Sequence, residues 1–184
     1  MTRRTAPRLL VTAAAVLSLA ACGGAETASP PQAAQTTAAA AVECETDAPT
    51  TEAPAVVSTD LAVQPTAPCY QAAAPTDLVL SDVVVGSGAE AVAGTDTEVK
   101  YVGAFYETGE EFDASWDGGA DKTLPVTVGA GQVIDGFDQG IEGMKVGGRR
   151  VVTIPSDLGY GDTARGPIPA GSTLVFVIDL VSVA

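Results

Sequence analysis

The stretch VIDGFDQGIEGM, residues 133–144, decides the fold. Ile134, Phe137, Ile141 and Met144 are spaced 3, 4 and 3 apart, which aligns them on one face of an α-helix. Asp135 reads as the N-cap and Gly143 as the end of that helix. Outward from it, the sequence reads as strand. Arg149 to Ile154 alternates, and Thr173 to Val183 is long and apolar enough for a central strand. Upstream, Leu124 to Val128 is a short strand. In TEVKYVGAFYETGEEF (97–112), Val99, Tyr101 and Gly103 alternate with Lys100 and Val102, and Thr108-Gly109 supplies a hairpin turn. Leu78 to Val85 is apolar and β-branched until Gly86-Ser87-Gly88 breaks it. A two-turn helix buries its stripe only if a sheet curves around it. The expected class is therefore α+β, a curved antiparallel half-barrel around one short helix, over residues 76–184.

The segment before this domain differs in kind. MTRRTAPRLLVTAAAVLSLAACGG opens with Arg3, Arg4 and Arg8, followed by an apolar run from Leu9 to Ala21. That is the pattern of an export signal, with a run short of the ~20 residues a membrane-spanning helix needs. Leu19-Ala20-Ala21-Cys22 resembles the lipobox of bacterial lipoproteins, so residues 1–21 are expected to be removed and Cys22 to be lipidated. Arg3-Arg4 lacks the closely following apolar residues of a twin-arginine signal. The mature chain is expected at the outer face of a membrane, held there by the lipid alone. Residues 22–75 are rich in Ala, Thr, Pro and Glu and hold one aromatic, Tyr70. Such a composition predicts a disordered tether. Cys44 and Cys69 fall inside it. Outside the cytoplasm they are expected to pair, closing a loop that constrains nothing in the core; bridging to a second chain is the other reading.

The inventory excludes whole chemistries. There is no histidine, which removes Ser-His-Asp triads, imidazole acid–base catalysis and His-ligated zinc. All three cysteines lie at or before Cys69, so the domain has no catalytic thiol and no thiolate metal site; no metal or cofactor is expected. A formal net charge of −14 argues against nucleic acid and against electrostatic adhesion to anionic lipid. One cluster remains open. In EEFDASWDGG (110–119), Asp113 sits between Phe112 and Trp116. It is either an ordinary turn aspartate or the single charge in the wall of an apolar pocket, and spacing alone leaves both open. Tyr101, Phe112, Phe137 and Phe176 are by themselves equally compatible with a plain core.

Five segments in order carry a resemblance: VKYVG (99–103), GEEFDASWD (109–117), GQVIDGFDQGIEGMKVGGRR (131–150), IPSDLGYGD (154–162) and IPAGSTLVFVIDL (168–180). Over about residues 77–184 the chain resembles the FKBP-type peptidyl-prolyl cis/trans isomerases. The resemblance implies a hydrophobic hole between helix and sheet, walled by Tyr101, Phe112, Asp113, Val133, Ile134, Phe137, Tyr160, Ile168 and Phe176. Within that set it implies catalytic roles for Asp113, Tyr160 and Tyr101. The Tyr101 hydroxyl would hold Asp113, and the Ile134 N–H would bind a substrate carbonyl. Phe112, Val133, Ile134, Phe137, Ile168 and Phe176 would bind substrate. The implied partners are proline-containing polypeptides and macrolide inhibitors, met by a monomer. Phe137 stands where the family more often has tryptophan, Leu124 where an aromatic is frequent, and Arg165 where some relatives carry histidine. The competing readings are a proline-binding or chaperone module with little catalysis, and a non-enzymatic surface lipoprotein.

Overall fold

A computed structural model describes residues 43–184. The signal segment, Cys22 and residues 23–42 of the expected tether lie outside the described residues. Six strands and one helix follow in order: β1 (Val79–Val84), β2 (Asp96–Phe105), β3 (Glu111–Ala114), β4 (Leu124–Thr127), α1 (Asp135–Ile141), β5 (Arg149–Ile154) and β6 (Leu174–Val183). The strands form one antiparallel sheet in the order β1-β5-β6-β2-β3, and β4 also pairs with β2. β2 and β6 are the long central pair, in register from Thr97 opposite Val183 to Phe105 opposite Leu174, with one irregularity at Glu98/Val99. The turn after β2 closes through Gly109, whose φ of 68° suits glycine and whose N–H donates to the Phe105 carbonyl at 2.8 Å.

The helix begins one residue earlier than its sequence suggests. Ile134, not Asp135, is the N-cap: its backbone is extended (φ −63°, ψ 148°), and its carbonyl accepts from the N–H groups of Phe137 and Asp138. Asp135 instead occupies the first helical position, where its charge complements the positive end of the helix. Two glycines set how closely α1 lies on the sheet. A Cβ at Gly136 would stand 2.4 Å from Ile154 Cγ2, and one at Gly140 would stand 2.8 Å from Val152 Cγ2. Arg150 ties the end of the helix down: its Nη1 donates to the carbonyls of Gly140 and Glu142 (3.1 Å each), while its Nε donates to Asp82 Oδ1 at 2.7 Å.

The sheet is covered on both faces. On the helix side, Val99, Val152, Ile154, Phe176, Ile178 and Leu180 pack with Phe137, Ile141 and Met144. On the opposite side, Val102, Ala104, Tyr106, Val151, Val175 and Val177 are buried under Val57, Ala67 and Tyr70. This corrects the expected tether. From residue 43 onward the chain is a strap across the outer face of the sheet, and the folded unit takes in residues that composition alone assigned to disorder.

The physical reason is that the strap needs little of its own core to stay in place. Its buried residues are mostly small or cyclic (Pro54, Val57, Pro65, Ala67, Pro68), and the apolar surface they cover belongs to the sheet. Cys44 and Cys69 are joined by a disulfide. Next to it, Glu45 N–H donates to the Cys69 carbonyl, Gln71 N–H to the Glu45 carbonyl and Tyr70 N–H to the Tyr106 carbonyl (2.8, 2.8 and 2.9 Å). The Tyr70 ring stacks on Tyr106 with centroids 5.1 Å apart. The Cys44–Cys69 loop therefore constrains the core, contrary to expectation.

Arg149 is the deepest tie. Fully buried, it donates from Nε and Nη2 to the two carboxylate oxygens of Asp179 (2.6 and 2.7 Å). It also donates from Nη1 to the carbonyls of Ser58 and Asp60 (2.6 and 3.1 Å) and from Nη2 to that of Val63 (3.1 Å). The strap thus supplies three of the acceptors that make a buried guanidinium tolerable. It also explains why β5, read as alternating, is buried at every position.

Candidate active site

Two neighbours in the sheet present the site. Gly103 in β2 lies opposite Asp113 in β3 and opposite Phe176 in β6. A Cβ at Gly103 would come within 2.7 Å of the Phe176 ring and 2.8 Å of the Phe112 ring, so the glycine lets both rings close over the strand. The rings then meet edge to face: Phe112–Phe176 at 5.6 Å, Phe137–Phe176 at 5.2 Å and Tyr101–Phe137 at 5.8 Å between centroids. Such geometries contribute attraction beyond the burial itself. Between them is a cavity of about 190 Å³.

The cavity brings together Tyr101, Phe112, Asp113, Val133, Ile134, Phe137, Tyr160 and Phe176, all of which the family resemblance implies for the wall. Leu124 also lines it, at the wall position where the sequence departs from the family's frequent aromatic. Two residues change the reading. Ile168 is absent from the lining of this cavity and is buried in the helix-side core. Gln132 does line the cavity and had been missed. Its side-chain carbonyl accepts from the Thr127 N–H at 3.0 Å, a loop contact that no spacing rule announces. Trp116 lies outside the lining; Lys100 Nζ sits 4.4 Å from its ring centroid.

The polar groups of the wall are few and specifically placed. Tyr101 Oη donates to Asp113 Oδ2 at 2.6 Å. Burial, and after it this hydrogen bond, pushes the Tyr101 phenol above its ordinary range, so it remains a neutral donor. The question raised by EEFDASWDGG is thereby settled in geometry: Asp113 lines the cavity and is held by a tyrosine. Two donors of the wall, the Ile134 N–H and the Tyr160 hydroxyl, have no protein acceptor among the described residues.

The loop before Ile134 is fixed from the helix. Asp138, itself buried, accepts from the N–H groups of Gly129 (2.7 Å) and Gly131 (3.2 Å). That clamp positions Gln132, Val133 and Ile134 along one side of the cavity. Among the described residues no group of three or more His, Cys, Asp or Glu side chains is arranged to hold a metal ion. A rigid aromatic hole with two open donors and one restrained carboxylate is suited to binding a small apolar group that carries carbonyls. It offers no nucleophile.

A family profile described as FKBP-type peptidyl-prolyl cis-trans isomerase matches residues 88–181. A probable FK506-binding protein of Corynebacterium glutamicum is 53% identical over 109 residues, covering 59% of this chain and 89% of the relative. An FK506-binding protein of Streptomyces anulatus is 53% identical over 111 residues, covering 59% of this chain and 88% of the relative. Among solved structures, AtFKBP13 is 40% identical, with a TM-score of 0.55 over 60% of this chain and 96% of that one.

Proposed function

Because the chain belongs to the FKBP-type peptidyl-prolyl cis-trans isomerase family, we propose that it rotates X–Pro bonds in exported polypeptides from a lipid anchor at Cys22. The isomerase activity follows from the family; the exported setting and the anchor rest on the N-terminal sequence. The observation that carries the mechanism is the aromatic cavity with two open donors and a tyrosine-held carboxylate.

An X–Pro bond turns slowly because rotation breaks amide resonance, at about 18–20 kcal/mol. A catalyst of this step needs no covalent intermediate; it must bind the twisted amide better than the planar one. Twisting makes the carbonyl less polar and the nitrogen more basic. A water-poor aromatic hole suits that state better than water does. The prolyl ring enters among Phe112, Phe137 and Phe176, while the Ile134 N–H and Tyr160 hydroxyl take substrate carbonyls and hold the backbone on either side. Asp113 acts electrostatically on the rotating carbonyl, with the Tyr101 hydrogen bond fixing its direction. Macrolide inhibitors bind in the same cavity, with Phe137 and Leu124 setting their affinity. The test is exchange of X–Pro peptides by the full chain. A rate no higher than that of the uncatalysed peptides would overturn the reading.

The anchor has its own test. Cys22→Ser is expected to shift the protein from the membrane fraction to the soluble exported fraction, or to leave it unprocessed. Several acyl chains hold a protein stably, whereas none would remain. Unchanged membrane retention and gel mobility after the substitution would remove Cys22 from the account.

A further inference from the structure

Beside the aromatic cavity lies a wider one of about 460 Å³, and the two share Gln132, Val133, Ile134 and Tyr160 as a common wall. What completes the second is different in character: Gly159, Thr163 and Arg165. Arg165 is fixed by its backbone. Its N–H donates to the Ile168 carbonyl at 2.9 Å, and its carbonyl accepts from the Ile168 N–H at 2.8 Å. Ile168 is buried in the core and anchors one end of the turn. The guanidinium carbon lies 5.8 Å from the centroid of the Tyr160 ring, a cation standing over the shared wall.

Arg149 and Arg150 form the ion pairs found among the described residues, and Arg165 has no carboxylate partner there. Asp113, which lines the first cavity, is engaged by Tyr101. Elsewhere the chain is strongly acidic, at a formal net charge of −14. An acidic peptide would be repelled by most of this surface. It gains locally only where a side chain reaches the second cavity.

We propose that Arg165 gives this isomerase a preference for prolines flanked by an acidic residue, its guanidinium pairing with the carboxylate beside the proline held in the aromatic cavity. The proposal rests on the isomerase reading of that cavity. An exposed pair contributes about 0.2–1 kcal/mol, so the effect is about 1.4- to 5-fold in kcat/KM.

The experiment measures kcat/KM of the full chain for peptides with Glu or Leu before the proline, and with Glu or Leu after it. The readout is the Glu-to-Leu ratio in each register. In at least one register the ratio should be about 1.4- to 5-fold higher than in Arg165→Met, and that excess should decline as salt screens the pair. In that register Arg165→Lys should keep part of the excess, and Arg165→Glu should lower the ratio below that of Arg165→Met. A structural role for Arg165 would lower both rates together and leave the ratio alone. Ratios unchanged across these variants in both registers would overturn the proposal. Absence of exchange with the Leu peptides as well would overturn the isomerase reading, and this proposal with it.

Discussion

A fragment beginning at Pro75 should lose about 5 kcal/mol or more of folding stability relative to residues 43–184, most of what a domain of this size possesses. Removing the strap uncovers Val102, Ala104, Tyr106, Val151, Val175 and Val177, each at most 1% exposed in the intact fold. Fully burying a valine is worth about 1.5–3 kcal/mol. The fragment also loses the strap's own burial of Val57, Ala67 and Tyr70 and its hydrogen bonds to Arg149 and Tyr106, while it no longer spends ordering entropy on the strap. The disulfide has already reduced that entropy by closing the loop from Cys44 to Cys69, a contribution of about 3 kcal/mol. The fragment's Tm should be lower by about 15 °C or more, and its uncovered face should bind a hydrophobic dye. Reducing the disulfide of the intact protein should produce the smaller loss alone.

Arg149 gives the same result in one residue. Arg149→Met leaves Asp179 buried without a partner, at a cost of about 3–5 kcal/mol, and adding Asp179→Leu should recover much of it. A fragment from Pro75 melting within about 2 °C of the longer protein would show that the strap does not stabilise the sheet.

The helix side of the fold was legible because its signals are local. The spacing of Ile134, Phe137, Ile141 and Met144, the breaks at Gly86–Gly88 and the turn at Thr108-Gly109 each report on their own few residues. The strap was not legible from its own composition, since small residues and prolines look alike whether solvated or laid on another surface. Its signal lay elsewhere, in LVFVIDL (174–180), where apolar residues fall on both faces of an antiparallel strand. A strand of that kind is buried twice and needs a cover on each side. One helix can supply only one. Arg149 and Asp179 also carried the message, as opposite charges facing each other across β5 and β6 in an otherwise apolar pair of strands. In the site, the aromatic wall came from family-bearing segments. Gln132 was missed because its place depends on a loop clamped by Asp138, and Ile168 packs into the helix-side core next to the site.

Within the cavity, Phe112→Ala should cost both activity and stability, whereas Asp113→Ala and Tyr160→Phe should cost activity with little change in Tm. The difference follows from what each side chain touches. The Phe112 ring packs against Phe105 and Phe176 at 5.2 and 5.6 Å, and truncating a buried phenylalanine costs about 3–5 kcal/mol. Its ring is partly exposed to the cavity, which places the expected loss at the lower end, about 3 kcal/mol. The Tyr160 hydroxyl has no protein acceptor among the described residues, so its removal leaves nothing unpaired inside the fold. What it loses is a bond to substrate. If that bond strengthens as the amide twists, the loss appears in kcat and in kcat/KM alike, at about tenfold for each 1.36 kcal/mol.

Asp113→Ala removes the carboxylate and frees the Tyr101 hydroxyl, which is near enough to the cavity to find water. Asp113→Asn keeps an acceptor for Tyr101 while deleting the charge, and so separates positioning from electrostatics. A tenfold or greater loss of kcat/KM in Asp113→Ala that Asn only partly restores would assign the effect to the charge. Full recovery with Asn would assign it to the hydrogen bond. Wild-type exchange rates in both Asp113 variants and in Tyr160→Phe, across several X–Pro peptides, would mean that the aromatic hole alone turns the bond and that the polar groups of the wall are structural.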